Sequence, residues 1–136
     1  MMRWHDLITV LAALSATAAA DAADDVALCA EADARYTKLG DGTPAQAGEV
    51  VVKMYKYRFC PSRVEIAPGT TVRWVNLERT THNAWFKDAG QIEPDRQFLG
   101  ESWSFTFSQP GEYPYLCGPH GQQEGMTGVV VVRGKE

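Results

Sequence analysis

The chain holds no long basic block, no phosphate-loop motif and no apolar run of membrane-spanning length, and each absence removes a class of function. Its formal net charge is −4 at pH 7, so it lacks the electrostatic footprint of a nucleic-acid binder. The patterns G-x-x-x-x-G-K-S/T, G-x-G-x-x-G and G-x-S-x-G do not occur, which leaves phosphate-loop, dinucleotide and serine-hydrolase readings without support. The longest apolar stretch, Leu7 to Ala20, falls short of the about 20 residues a lone membrane anchor needs. It follows Arg3 and ends in Ala18-Ala19-Ala20, so residues 1–20 read as a secretory signal peptide cleaved near Ala20 or Ala22. That predicts an exported, periplasmic protein without stable membrane insertion.

Histidine, cysteine and methionine are scarce: 3, 3 and 4 residues in a chain of 136. His5, Met1 and Met2 fall in the leader, so the exported chain keeps His82, His120, Cys29, Cys60, Cys117, Met54 and Met126. Hydrophobic residues make up 45% of the sequence, which excludes a disordered chain. About 116 residues suffice for one core and not for two domains.

Residues 21–48 are rich in Ala, Asp and Glu. Leu28, Ala32, Tyr36 and Leu39 recur there at helical spacing, so this extension and linker is read either as a short amphipathic helix or as a mobile acidic tail. From Glu49 the period becomes two. Val50–Phe59, Arg63–Ala67, Thr70–Asn76, His82–Phe86, Ser102–Ser108, Glu112–Cys117 and Met126–Arg133 read as strands. Pro68-Gly69 and Pro110-Gly111 mark turns, and Lys87–Glu101 reads as a long loop. The pattern predicts an all-β antiparallel sandwich of about seven to eight strands over residues 49–136.

Chemistry concentrates in Cys117-Gly118-Pro119-His120, with Met126 six residues on and His82 35 residues earlier. Two imidazoles, one thiolate and one thioether match the trigonal His₂Cys set with a weak axial Met that makes a blue-copper electron-transfer site. A tight turn lets Cys117 and His120 face one centre, and a separate strand supplies His82. Zinc is the competing metal, but it favours a further Cys, His or carboxylate over Met.

Residues 49–134 resemble the cupredoxins, the type 1 blue copper proteins, and within them the plastocyanin, pseudoazurin and amicyanin group. The resemblance rests on Phe59-x-Pro61-x-x-Val64-x-Ile66-x-x-Gly69-x-x-Val72-x-Trp74-x-Asn76 and on His82-Asn83. Pro110-Gly111-x-Tyr113-x-Tyr115-x-Cys117-x-x-His120 and Met126-x-Gly128-x-Val130 complete it. It implies a Greek-key sandwich holding one copper ion, Cu(I)/Cu(II), with His82, Cys117, His120 and Met126 as ligands. It also implies that Asn83 ties the ligand loops together near the thiolate. The expected function is one-electron transfer between transient redox partners, a donor and an acceptor such as a cytochrome or a periplasmic oxidoreductase, by a monomer that is not an enzyme.

Five residues, Gly121 to Gly125, separate His120 from Met126, more than is usual in the family. Gln122, Gln123 and Glu124 therefore stand as alternatives to Met126 for the axial position. With Cys117 assigned to the metal, Cys29 and Cys60 are left as a candidate disulfide, two free thiols being the alternative. A multicopper oxidase or nitrite reductase would need further histidines. A copper-delivery protein, the binding rival, would favour Met- and His-rich open loops, and Met54 sits alone in a strand.

Overall fold

The computed structural model describes residues 24–39, 45–90 and 93–134. These fall in two compact units that divide after Glu31. The predicted leader lies outside the described residues. Among the described residues no helix is long and apolar enough to cross a membrane.

Residues 24–38 are helical, so the helical reading of the extension holds there. Ala32 is buried and Leu28 and Tyr36 are half-buried, three positions of the face the spacing predicts, but Leu39 lies past the helix end and is exposed. Arg35 Nε donates to Leu77 O at 2.5 Å, and Arg73 Nη2 donates to the Tyr36 hydroxyl at 3.0 Å.

Seven strands follow: β1 (Glu49–Tyr55), β2 (Arg58–Cys60), β3 (Arg63–Ile66), β4 (Thr70–Asn76), β5 (Ser102–Phe107), β6 (Gly111–Leu116) and β7 (Thr127–Val132). They form two sheets, β2-β1-β4-β5 and β3-β7-β6. The all-β sandwich is as expected, but its sheets are mixed rather than purely antiparallel. β1 runs parallel to β4 and β3 parallel to β7, because the chain leaves one sheet for the other between these strands.

Two boundaries differ from the sequence reading. Val50–Phe59 is a hairpin, not one strand: Met54 pairs with Phe59 across a turn in which Lys56 and Tyr57 take φ of 47° and 59°. Such conformations cost non-glycine residues of order 1 kcal/mol each, so the turn persists because its surroundings hold it. His82–Phe86 is not a strand either. It makes isolated bridges, His82 with Gln97 and Trp85 with Leu116.

The core lies between the sheets around Trp74, which is fully buried. The rings of Trp103, Tyr115, Phe86 and Phe107 surround it at centroid distances of 5.3, 5.4, 5.6 and 6.4 Å. Each such pair contributes roughly 0.5–1.5 kcal/mol beyond its area burial. Trp103, Phe105 and Phe107 alternate inward along β5 as predicted, and Val130, Val131 and Val132 of β7 are buried on both faces. This core anchors the ends of β4, β6 and β7, from which the functional loops spring.

Candidate metal centre

Cys117, His120 and Met126 share one connection, the loop from β6 to β7. The antiparallel pairing of Leu116 with Thr127 closes its base. Inside it Cys117 N–H donates to Met126 O at 3.0 Å, Gly121 N–H to Cys117 O at 2.7 Å and Glu124 N–H to His120 O at 3.0 Å. The five residues before Met126 are thus coiled into turns rather than extended. A Cβ at Gly121 would stand 2.7 Å from Cys117 O, so this tight return requires glycine.

His82 arrives from the β4–β5 connection. Trp85 and Leu116 exchange backbone hydrogen bonds of 2.8 and 3.1 Å, which docks this segment beside Cys117. Asn76 Nδ2, at the end of β4, donates to Thr80 O and Gln97 O and fixes the bend before His82. His82 is fully buried.

Among the described residues, His82, Cys117 and His120 form a cluster whose ligand atoms lie within 4.8 Å of one another. Cys117 Sγ is 3.7 Å from His82 Nδ1 and 3.5 Å from His120 Nδ1, and the two Nδ1 atoms are 3.1 Å apart. A point equidistant from the three lies about 2.0 Å from each, the length of a metal–imidazole bond, and a small displacement from Cys117 Sγ reaches the about 2.3 Å of a metal–thiolate bond. The donor set therefore fits an ion at its centre. Met126 is fully buried beside this cluster in the chain, whereas Gln122, Gln123 and Glu124 are exposed.

Burial sets the protonation states. It pushes the Cys117 thiol up, while the backbone N–H groups of Asn83 and His120 and the charge of Arg96 oppose it. It pushes His82 down, against the hydrogen bond and charge of Glu78. His82 is therefore held neutral, the form that binds a metal. Glu78 Oε1 lies 2.6 Å from His82 Nε2. A carboxylate accepts, so Nε2 carries the proton and Nδ1 turns its lone pair to the centre.

Asn83 Oδ1 accepts from Gly118 N–H at 2.7 Å, and its Nδ2 donates to Pro94 O at 3.0 Å and Glu93 Oε1 at 3.5 Å. It bridges the segment that carries His82 to the loop that carries Cys117 and His120. A Cβ at Gly118 would stand 2.8 Å from Glu93 Oε1, so the glycine leaves room for that bridge. Cys117 is the free cysteine, and Cys29 and Cys60 are disulfide-bonded, so the alternative of two free thiols falls.

Glu78 and Glu93 have no place in the sequence reading of the site. Glu78 stands four residues before His82, a weak signal.

Fold and cluster together define a class: a β-sandwich protein with one buried thiolate–imidazole metal centre. The chain matches the copper-binding proteins of the plastocyanin/azurin family over residues 46–133 and belongs to that family. It is 37% identical to amicyanin-alpha of Methylorubrum extorquens over 92 residues, 65% of this chain and 75% of that protein. It is 30% identical to amicyanin of Paracoccus denitrificans, covering 90% of this chain and 88% of the relative. A solved Cu(I) form of an amicyanin variant superimposes with a TM-score of 0.60 at 29% identity, covering 67% of this chain and 87% of that one. The expectations of a cupredoxin, of copper as cofactor and of an electron carrier rather than an enzyme hold.

Proposed function

We propose that the protein is an exported, periplasmic carrier that takes one electron from a donor and passes it to an acceptor, both redox proteins met transiently. In this reading residues 1–20 are a leader, residues 49–136 are the copper domain, and the carrier works as a monomer. His82 Nδ1, Cys117 Sγ and His120 Nδ1 would hold the ion. Met126 would add a weaker fourth ligand, a choice supported by its burial while the neighbouring Gln122, Gln123 and Glu124 are exposed.

The observation that carries the reading is the triangle of donor atoms with sides of 3.7, 3.5 and 3.1 Å, already sized for an ion. The ion, when bound, supplies a one-electron couple tuned by its axial ligand. The chain supplies a fixed geometry. Glu78 holds the His82 ring, Asn83 holds the Cys117 loop against the His82 loop, and burial keeps water from the thiolate. A site that moves little between oxidation states exchanges electrons readily.

The visible spectrum of purified protein loaded with Cu(II) tests this. An intense blue absorption is expected, lost in Cys117→Ser while the circular dichroism of the sandwich is retained. A colourless Cu(II) complex of the wild type would refute the assignment.

A further inference from the structure

We propose that the β1–β2 turn is a clamp over the metal centre and that Tyr57 is a positioning residue for His120. The inference rests on the assignment of His82 and His120 as ligands and goes beyond it.

The Tyr57 ring meets the His120 ring edge-on, with centroids 4.9 Å apart and planes at 75°. It meets the His82 ring in the same way at 6.0 Å and 87°. One side chain therefore touches both imidazoles, each of which comes from a different loop. Tyr57 keeps 37% of its surface exposed, so it stands between the cluster and solvent.

The turn is pinned on both sides. Lys56 N–H donates to Glu78 Oε1 at 3.0 Å, and that same oxygen faces His82 Nε2. Arg58 Nη1 donates to Tyr57 O at 3.0 Å and to Glu124 O at 3.4 Å, inside the His120–Met126 loop. The first anchor joins the turn to the His82 side, and the second joins it to the His120 side. Both central residues are held at positive φ without glycine. Strained non-glycine backbone persists where surrounding contacts over-determine it.

Residues 122–125 of the His120–Met126 segment are exposed, so the turn hydrogen bonds within it have no covering layer of their own. Arg58 reaches this segment, and the Tyr57 ring blocks the outward swing of the imidazole. Outer contacts that orient a ligating ring govern how firmly it holds its metal.

The test uses Tyr57→Ala, Tyr57→Phe and Arg58→Ala in the full chain. Two quantities are read: the rate at which a chelator withdraws Cu(I), and the backbone order of residues 120–126 in the metal-free protein by NMR relaxation. Tyr57→Ala should release copper about tenfold faster or more and lose order in 120–126. Tyr57→Phe should match the wild type in both, because the contact is made by the ring. Arg58→Ala should shift both in the direction of Tyr57→Ala. Unchanged release and unchanged order in Tyr57→Ala would overturn the clamp. Should Tyr57→Ala not fold, unchanged values in Arg58→Ala, whose site is exposed, would overturn it instead. The metal-free measurement does not depend on copper, so failure of the ligand assignment and failure of the clamp give different results.

Discussion

Removing the carboxylate of Glu78 should weaken copper binding. Glu78 Oε1 lies 2.6 Å from His82 Nε2 and 3.0 Å from Lys56 N. In Glu78→Ala the buried Nε2–H loses its acceptor, and the proton is free to sit on Nδ1, the atom that must face the metal. Loss of such a partner lowers metal affinity roughly 10–100-fold, about 1.4–2.8 kcal/mol. The Glu78 side chain is 19% exposed, so water can enter the vacated position and restore part of the hydrogen bonding. The lower half of that range, about tenfold, is therefore expected. Glu78→Gln keeps an accepting oxygen and loses the charge, so its loss should be smaller. Competition for Cu(I) against a chelator of known affinity, with metal-free thermal unfolding in parallel, measures both effects. Equal affinity in wild type and Glu78→Ala would show that the carboxylate does not fix the His82 tautomer.

Met126→Gln should lower the reduction potential, because a harder oxygen ligand favours the oxidised ion. Voltammetry checks it, and an unchanged potential together with a shift in Gln123→Ala would move the axial role into the loop. Gly121→Ala places a Cβ 2.7 Å from Cys117 O and should cost about 1–3 kcal/mol of metal-free stability, read from denaturant unfolding. Glu65 is held down to about 2 by its hydrogen bonds to Arg133 and Arg63 and by the charge of both. Its folded-state value is depressed, so its stabilisation is complete above the ordinary 4.5 and is lost as pH falls toward 2. Between those values the unfolding midpoint of the wild type should fall more steeply than that of Glu65→Gln. The difference should shrink in high salt because the group is exposed.

The local order of the chain determined much of this protein. Alternation of Trp103, Phe105 and Phe107 placed β5, and the turn at Pro110-Gly111 opened β6 at Gly111, because side-chain period and backbone preference act over neighbouring residues. Scarcity did the same for the metal centre: with three histidines and three cysteines in 136 residues, His82, Cys117 and His120 had few rivals, and they are the residues brought together. The break at Lys56–Tyr57 shifts the inward positions from Val52 and Met54 to Phe59, and no Gly, Asn or Asp at the turn marks it in the sequence. The period-two pattern gave strands but not the parallel pairing of β1 with β4 and β3 with β7, which depends on the path of the chain between sheets. Glu78, one of 17 acidic residues, and Tyr57, one of five tyrosines, carry no mark in their neighbours. Their place beside the two imidazoles follows from a bend fixed by Asn76 and a turn fixed by Glu78 and Arg58. Hydrogen bonds between distant segments form only once the sandwich has closed, and those contacts, rather than any local preference, decided which side chains surround His82 and His120.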